Sequence, residues 1–369
     1  MTSSQSKSDG EPRIGKTLLD DVRRGDFSRV IRRDYRELKE IMLTEERQKR
    51  LGEMSRFRRW FWSSWWLLKA LILKLTPARR ILLLVGIVLI LMSRTVVWRD
   101  RDVRVQFDTT AFGATVILFV LMLELKDKLL ARKELEAGRA VQTALTPERT
   151  PLVPGWGIWL FARSANEVGG DLVDFAKLSE NRFGIAVGDV AGKGLRAALL
   201  SVKLQASLRA LAPDFLSLDE LAAKLNEIFC RDSLPNLFAS IFYLELQPDS
   251  GVVRTVNAGH IPPLLIRSAQ IHRLEKGGVA LGILPGATFA EQRIELQSGD
   301  MLVVYSDGLT EARNDEGTFF GEQRFADLVP TLASLPAESV GEQIITQIDR
   351  FVGEARPNDD ISIAILKRQ

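Results

Sequence analysis

The chain has 369 residues, and its composition of 46% hydrophobic and 26% charged residues predicts that most of it folds. The net charge of +3 gives no electrostatic reason to expect nucleic-acid binding. A single cysteine, Cys230, excludes an internal disulfide and a cysteine-based zinc site, and two histidines are too few for a histidine-rich metal centre. A metal site here would have to be built from carboxylates, which favour Mg²⁺ or Mn²⁺.

Residues 1–59 are predicted to be a disordered leader followed by short amphipathic helices. Residues 1–16 are polar and lack the apolar core of a signal peptide. In residues 17–59, apolar side chains recur at helical spacing among charged ones, as at Leu38, Ile41 and Met42.

Residues 60–125 form a hydrophobic region that holds five of the seven tryptophans. Its first part, Trp60–Leu75, follows three arginines and is typical of an interfacial helix. Two apolar runs come next, Ile81–Met92 and Ala111–Leu123, and we expect a two-helix membrane hairpin in the cell inner membrane with both termini in the cytoplasm. Because each run is shorter than the roughly 20 residues of a spanning helix, two buried helices of a soluble domain are the alternative.

Residues 126–150 are predicted to form a linker helix. The segment is rich in Glu, Lys, Leu and Ala, and its apolar residues recur at helical spacing from Leu129 to Leu145. These positions form a pairing face that is compatible with a homodimer, although the segment is too short to establish a coiled coil. Pro147, Pro151 and Pro154 mark the break after the helix.

Residues 151–369 are predicted to form one mixed domain of the α+β class. Apolar runs bounded by turn residues predict strands at Phe183–Val187, Phe238–Leu246, Val252–Asn257, Ile294–Leu296, Met301–Tyr305 and Ile361–Leu366. Helical periodicity predicts helices at Ala197–Leu211, Leu218–Phe229 and Ser339–Phe351. Since some neighbouring strands pair in hairpins and helices lie between groups of strands, we expect helices packed on antiparallel sheets.

Four acidic motifs lie beside glycines or at strand ends in this domain. They are Glu167–Asp171, Gly188–Gly194, Ser306–Gly308 and Asn358–Asp360. An Asp beside Gly is usually a turn residue, so each motif alone is weak evidence. Four of them in one domain predict a cluster of carboxylates, which repel one another unless divalent cations hold them together.

Two other interpretations of these motifs fail, one on spacing and one on the residues that follow the motif. Gly188–Gly194 lacks the four-residue interval of a nucleotide-binding phosphate loop. The sequence Gly169-Gly170-Asp171 is followed by Leu172-Val173 rather than by the Glu-Phe of diguanylate cyclases.

In order and spacing, five segments resemble the SpoIIE/RsbU-like branch of the PP2C (PPM) family of metal-dependent serine/threonine protein phosphatases. The resemblance covers about residues 135–369 and is carried by Glu167–Phe175, Gly188–Leu200, Asn257–Leu265, Gly299–Phe325 and Asn358–Leu366. It implies a β-sandwich of two antiparallel sheets flanked by helices, here preceded by a helical, membrane-embedded N-terminal region. The phosphatase domain would then be cytoplasmic.

The resemblance also implies a site with two Mn²⁺ or Mg²⁺ ions. By position, Asp171 and Asp189 would bridge or ligate the ions, joined by the backbone carbonyl of Val190. Asp307 and Asp359 would complete the second ion's shell, and Asp360 is the less usual ligand of its pair. The three catalytic residues would be Asp171, Asp189 and Asp307. Ala191 and Ile261 depart from the family pattern without removing a ligand.

The implied activity is hydrolysis of phosphoserine or phosphothreonine on a protein by a water that two metal ions activate, in bacterial signal transduction. In this branch the substrates are often phosphorylated antagonists of anti-sigma factors. The alternatives are a non-catalytic binding scaffold of the same fold and a small-molecule phosphohydrolase. For His260 a structural role competes with that of a general acid, and for Lys193 a solvated charge competes with phosphate attraction.

Overall fold

The computed structural model describes residues 35, 38–39, 42–52, 54–92, 95–100, 103–232, 237–248 and 250–369. The predicted leader and most of the first amphipathic helices lie outside the described residues. The chain divides into two compact units, residues 1–128 and 129–369.

The first unit is mainly helical. Its elements are α1 (Glu45–Gly52), α2 (Arg56–Lys74), α3 (Pro77–Met92), β1 (Thr95–Asp100), β2 (Val103–Asp108) and the first half of α4 (Thr109–Leu145). The guanidinium of Arg80 donates to the carbonyls of Ile72 and Leu73 at the C-terminal end of helix α2, where the last carbonyls lack the N–H partners of a continuing helix. The Ile72 carbonyl also accepts the Leu75 N–H that caps the helix. This contact fixes the junction between helices α2 and α3.

Helices α3 and α4 approach each other closely at two glycines. A Cβ atom on Gly86 would lie 3.1 Å from the Gly113 carbonyl oxygen, and one on Gly113 would lie 2.7 Å from the Gly86 carbonyl oxygen. At the end of the pair, Arg79 forms ion pairs with Glu124 and Asp127. Small residues at a helix crossing are typical of membrane helices, where close backbone packing replaces the hydrophobic effect.

Many apolar side chains on these helices face outward. Ile81 and Leu91 on α3 and Phe112 and Leu118 on α4 are more than half exposed. Among the described helices, one, Thr109–Leu145, is long and apolar enough to cross a membrane.

The second unit is a sandwich of two five-stranded antiparallel sheets. Sheet 1 has the order β10-β7-β6-β5-β4, and sheet 2 has the order β3-β12-β11-β8-β9. The strands are β3 (Trp156–Arg163), β4 (Leu172–Ser179), β5 (Arg182–Val190), β6 (Ala239–Leu246), β7 (Val252–Ala258), β8 (Leu264–Arg267), β9 (Gln270–Arg273), β10 (Glu291–Glu295), β11 (Met301–Tyr305) and β12 (Ile361–Arg368). This architecture confirms the predicted fold class.

Helices cover both outer faces of the sandwich. They are α5 (Leu195–Leu211) and α6 (Leu218–Arg231) on sheet 1, and α8 (Glu322–Thr331) and α9 (Ala337–Val352) on sheet 2, with the single turn α7 (Asp307–Thr310) after β11. The inner faces pack against each other through buried residues such as Val187, Phe242, Leu302 and Ala364. Because β5, β6, β11 and β12 carry apolar residues on both faces, they lie at the centre of their sheets.

Glycine is required where helix α9 crosses sheet 2. A Cβ atom on Gly341 would lie 2.1 Å from the Trp159 indole ring. The close contact between Gly341 and this indole ring packs helix α9 on strand β3. Within β3, the ring of Trp159 also stacks on Phe161, with 5.5 Å between ring centroids.

Candidate functional site

The four acidic motifs meet at one edge of the sandwich because of strand pairing. In sheet 1, Leu172 pairs with Gly188, which places Asp171 and Asp189 beside each other. In sheet 2, Tyr305 pairs with Ile363, so Asp307, just after β11, lies beside the start of β12. The structure therefore brings together the carboxylates that the sequence places far apart.

The electrostatics of Asp171 show how closely these groups approach. Burial raises the pKa of Asp171 well above its ordinary value, the charge on Asp189 raises it further, and hydroxyl groups of Ser306 and Ser362 oppose the rise. The residue is partly exposed as a whole, but its Oδ2 atom is inaccessible and has no partner in hydrogen-bonding geometry.

Asp189 lies at the centre of the cluster. Burial raises the pKa of Asp189 to about 6, with a further contribution from the charge on Asp307, while a hydrogen bond from Asp171 acts in the opposite direction. The charges on Asp359 and Asp360 also raise it. A carboxyl group that responds to four others lies at a point where a cation would be strongly attracted.

Asp307 and Asp359 form the sheet 2 side of the cluster. Burial raises the pKa of Asp307, as does the charge on Asp359, and the ammonium of Lys193 opposes both. Lys193 Nζ lies 3.4 Å from Asp359 Oδ2 and donates to the Asn358 carbonyl at 3.0 Å. Its side chain is largely exposed, so the pair contributes little to stability.

Asp360 has a different environment from the other four carboxylates. Its Oδ1 accepts a hydrogen bond from the Ala165 N–H, and its Oδ2 accepts one from the Gly170 N–H, both at 2.7 Å. The side chain therefore ties the start of β12 to the loop that precedes Asp171. A Cβ atom on Gly169 would lie 2.5 Å from Asp360 Oδ2, which explains the glycine at that position.

The glycines of the motifs allow close backbone approach. A Cβ atom on Gly170 would lie 2.9 Å from the Val190 carbonyl oxygen, the oxygen that the family resemblance assigns to the metal site. A Cβ atom on Gly308 would lie 1.8 Å from the Asp360 carbonyl oxygen. A side chain at Gly170 would push the start of β4 away from the end of β5 in sheet 1, and one at Gly308 would push the end of β11 away from the start of β12 in sheet 2.

The donor set suits a hard cation. All candidate ligands are oxygens, and the buried Asp171 Oδ2 needs a partner. In the part of the chain that the structure describes, no three carboxylate, imidazole or thiol groups enclose a common point at coordination distance. The fit therefore rests on the chemistry and crowding of the oxygens, and a complete coordination shell is not seen.

The ring of His260 reaches the cluster only through a hydroxyl group, since Ser240 Oγ lies 3.2 Å from His260 Nδ1 and 3.4 Å from the Asp189 carbonyl oxygen. His260 donates its backbone N–H to Asn257 Oδ1 at 2.8 Å, and Asn257 Nδ2 donates back to the His260 carbonyl at 3.0 Å. Burial lowers the pKa of His260 to about 4. These contacts favour a structural role for this neutral imidazole, and His272 lies exposed on strand β9.

Three polar residues near the cluster were not predicted from the sequence. Ser306 Oγ accepts the Ser362 N–H at 2.9 Å and links β11 to β12 behind Asp171. Gln142 contacts Gly169 from the linker helix. Ser306 belongs to the predicted Ser-Asp-Gly motif, but that motif gave it no role of its own. Ser362 and Gln142 belong to no motif, because single serines and glutamines form no recognisable pattern in a sequence.

Comparison with known proteins gives the family. The family model "Stage II sporulation protein E (SpoIIE)" matches residues 179–369, which is more than half of the chain. Protein IcfG of Synechocystis is 28% identical over 300 residues, covering 73% of this chain and 47% of IcfG. Phosphoserine phosphatase RsbU of Bacillus subtilis is 25% identical over 240 residues, covering 64% of this chain and 71% of RsbU.

Solved structures show the same fold. The SiaA-PP2C domain of Pseudomonas aeruginosa superposes with a TM-score of 0.57 at 19% identity, covering 66% of this chain and 99% of that domain. The chain spans about half the length of IcfG, so the comparison concerns the shared domain. The chain belongs to the SpoIIE family, and its second unit is a PPM-type serine/threonine phosphatase domain.

Proposed function

We propose that this chain is a metal-dependent protein phosphatase that removes phosphate from phosphoserine or phosphothreonine on a protein substrate. The observation that carries the proposal is the pair Asp171 and Asp189, whose partly buried, mutually repelling carboxyl groups include one inaccessible oxygen, Asp171 Oδ2, without a hydrogen-bond partner. Strongly perturbed carboxylates at a sheet edge are typical of catalytic sites. RsbU, a phosphoserine phosphatase by name, matches the same domain.

Two Mn²⁺ or Mg²⁺ ions are the proposed cofactors. Asp171, Asp189 and the carbonyl of Val190 would hold one side of the pair, and Asp307 and Asp359 the other. Bound divalent ions would supply an activated water and charge neutralisation for the phosphoryl group. Asp360 contributes in a different way, because both of its oxygens already accept backbone hydrogen bonds that hold the Asp171 loop.

Lys193 is proposed to attract the substrate phosphate. Its ammonium is exposed and lies beside Asp359 at the mouth of the cluster. An exposed positive charge at this place would favour the approach of a dianionic phosphoryl group. The imidazole of His260 is buried and contacts Ser240 rather than a carboxylate of the described site, so we assign the leaving oxygen no protein proton donor.

The N-terminal regions are proposed to attach the enzyme to a membrane. In this proposal the chain consists of the leader and amphipathic helices at residues 1–59, the hydrophobic region 60–125, the linker 126–150 and the phosphatase domain 151–369. The exposed apolar faces of α3 and α4 and their glycine crossing support a hairpin in the inner membrane with the phosphatase domain in the cytoplasm. The exposed Leu129 and Leu130 leave the linker helix free to pair in a homodimer.

The proposed activity is tested by phosphate release with Mn²⁺. The substrates are a phosphoserine protein of the anti-sigma-factor-antagonist type, a phosphoserine peptide and p-nitrophenyl phosphate. We expect Mn²⁺-dependent release that is fastest from the protein substrate. No release from any of them would favour the non-catalytic scaffold, and a strong preference for p-nitrophenyl phosphate would favour a small-molecule phosphohydrolase.

A further inference from the structure

The segment between strands β9 and β10 exposes apolar side chains near the acidic cluster. Within residues 278–287, here called the apolar loop, Val279, Ile283 and Leu284 are 40%, 52% and 53% exposed. Phe238, directly before strand β6, is 38% exposed. Large apolar side chains that a folded domain leaves together in contact with water are typical of an interaction surface.

Hydrogen bonds from strand β6 and helix α6 fix the backbone of the apolar loop. The Ala239 N–H donates to the Leu281 carbonyl at 3.0 Å, and the Leu281 N–H donates back to the Ala239 carbonyl at 2.8 Å. From helix α6, Asn226 Nδ2 donates to the Leu284 carbonyl and Asn226 Oδ1 accepts the Gly282 N–H, both at 2.9 Å. Because Asn226 is 1% exposed, its amide is a buried polar group that the loop satisfies.

The Asn-Ala-Gly-His motif fixes the beginning of the same loop. The Asn257 carbonyl accepts the Gly278 N–H at 3.0 Å. Gly259 has a φ of +74°, and a Cβ atom on it would lie 2.6 Å from the Ala280 nitrogen. The motif therefore needs glycine to bring the loop against the end of strand β7. Since the backbone of the loop is preformed, a partner would bind its exposed side chains at little cost in ordering.

Strand pairing places this surface next to the candidate site. Ala191, two residues after Asp189, donates its N–H to the Phe238 carbonyl at 2.9 Å. Since paired strands lie about 4.8 Å apart and rise about 3.3 Å per residue, the backbones of Phe238 and Asp189 lie within about 10 Å of each other. A Cβ atom on Gly282 would lie 3.8 Å from the Leu237 carbonyl oxygen, so the apolar loop contacts the residue before Phe238.

This position limits what can bind the surface. A protein interface covers roughly 800 Å² of each partner, which is a disc of about 16 Å radius. A protein bound on Phe238 and Ile283 would therefore also cover the acidic cluster. A permanent partner or a second copy of this chain would close the site, whereas a protein substrate must lie there during hydrolysis. The exposed ammonium of Lys193 at the mouth of the cluster complements the charge of a phosphoserine.

We propose that Phe238, Ile283 and Leu284 form a docking surface for a protein substrate that carries apolar side chains around its phosphoserine. The inference rests on the proposed function. It deepens that function by naming the substrate as a folded phosphoprotein, which gains binding energy from contacts away from the phosphorus atom. The three side chains contact neither the phosphoryl group nor the cations in this account.

The test measures phosphate release with Mn²⁺ by the full-length chain in mild detergent. The substrates are a phosphoserine protein of the anti-sigma-factor-antagonist type, a short peptide with the same phosphoserine, and p-nitrophenyl phosphate. Ile283→Asp combined with Leu284→Asp places two charges in the surface, and Ile283→Leu keeps the surface apolar. Leu152→Asp is the matched control, because Leu152 is 93% exposed and precedes the end of strand β3 that lies away from the acidic cluster.

We expect the double variant to raise the KM for the phosphoprotein at least about tenfold with little change in kcat, the size expected when two apolar contacts of an interface are lost. Hydrolysis of the peptide and of p-nitrophenyl phosphate should stay within about twofold of wild type, because neither carries a folded surface. Ile283→Leu and Leu152→Asp should keep the wild-type KM for the phosphoprotein.

An equal loss on all three substrates would overturn the inference, because it would show that the loop supports the acidic cluster and does not dock a substrate. Unchanged kinetics on the phosphoprotein would overturn it as well. So would a wild-type dimer in ultracentrifugation that the double variant breaks, since the surface would then bind a second copy of the chain. If the double variant does not fold, Ile283→Asp alone gives the same comparison.

A failure of the proposed function gives a different result. In that case the wild type releases no phosphate from any substrate, and titration calorimetry with the same phosphoprotein decides whether the surface docks it. Binding by the wild type that the double variant lacks would support the docking surface. Equal binding by both, or no binding by the wild type, would overturn it.

Discussion

Asp171 and Asp189 lie side by side at the ends of paired strands β4 and β5, with the register fixed by the pairing of Leu172 with Gly188. Burial and the charge on Asp189 raise the pKa of Asp171, and a hydrogen bond from Asp171 limits the rise in the pKa of Asp189. Two carboxyl groups held in this way cost free energy in the folded state. An arrangement that costs stability at the rim of a well-packed core points to a role in chemistry.

Removing one carboxylate from each sheet should abolish activity without unfolding the domain. We expect Asp189→Ala and Asp307→Ala each to lower Mn²⁺-dependent phosphate release by at least about a hundredfold, because each removes an oxygen that would hold the cations. Circular dichroism should be unchanged, and melting temperatures without metal should be equal or higher, since one of several mutually repelling charges is gone. Glu227→Ala, at an exposed ion pair of helix α6, is the control. A folded double mutant with full activity would contradict the site.

Gly308 should tolerate no side chain. The Cβ atom of Gly308→Ala would lie 1.8 Å from the Asp360 carbonyl oxygen, so the backbone must move. We expect a loss of about 2–4 kcal/mol in the free energy of unfolding, in the range of severe overpacking, together with loss of activity. Gly138→Ala is the matched control, because its nearest neighbour is Val168 at an ordinary 3.5 Å and alanine favours a helix. Chemical denaturation of both variants checks the difference, and equal stabilities would show that the contact is not tight.

His260 should make the domain less stable in acid. Burial lowers its pKa to about 4, whereas the unfolded chain has a histidine pKa near 6.5. Between these two pH values the unfolded chain binds more protons than the folded chain. The free energy of unfolding therefore falls as the pH drops from about 6.5 to about 4. The loss reaches about 3 kcal/mol below pH 4.

The carboxylates of the acidic cluster have pKa values that are raised in the folded state, so their protonation stabilises the fold as the pH falls. This effect opposes that of His260. The prediction therefore concerns the difference between wild type and His260→Gln, measured by denaturation from pH 7 to pH 4 without metal. The free energy of unfolding of wild type minus that of His260→Gln should fall by up to about 3 kcal/mol as the pH falls. His272→Gln, at an exposed site, should leave the profile unchanged. A pH-independent difference for His260→Gln would show that His260 is not held neutral by burial.

The hydrophobic region should hold the full chain in the membrane. Because α3 and α4 expose apolar faces that water solvates poorly, we expect the chain to remain with membranes after washes in high salt and in alkaline carbonate. A chain lacking residues 60–125 should be recovered in the soluble fraction. Release of the full chain by salt alone would show that the contact is electrostatic and that the hairpin does not insert.

The sequence predicts the domain class because its central strands are apolar and continuous. The predicted Met301–Tyr305 agrees with β11 at both ends, and Phe238–Leu246 differs from β6 by one residue. In the second unit, strands β3, β4, β8 and β9 were not predicted. In β4 the charged Asp174 interrupts the apolar pattern of the sequence. The structure can bury this aspartate because its charge is paired with Arg209 from helix α5. Strand β8 has only four residues and follows two prolines, which usually indicate a loop.

The candidate site was predicted in outline, because glycine-flanked aspartates at strand ends form a local pattern. The role of Asp360 in holding the loop before Asp171 was not predicted, since its partners Ala165 and Gly170 are almost 200 residues away in the chain. The contact between Gln142 and Gly169 is equally invisible in the sequence, as nothing local distinguishes that glutamine from others on an exposed helix. Sheet order and long-range hydrogen bonds depend on packing, and the single sequence gives no pattern for them.

The central claim is that the carboxylates of Asp171, Asp189, Asp307 and Asp359 hold two divalent cations. The most direct measurement is anomalous scattering at the manganese edge from crystals of the phosphatase-containing chain grown with Mn²⁺. The account predicts two peaks, each within about 2–2.5 Å of at least one of these carboxylates and about 3.5–4 Å apart. Well-ordered density for the four side chains with no manganese peak among them would contradict it.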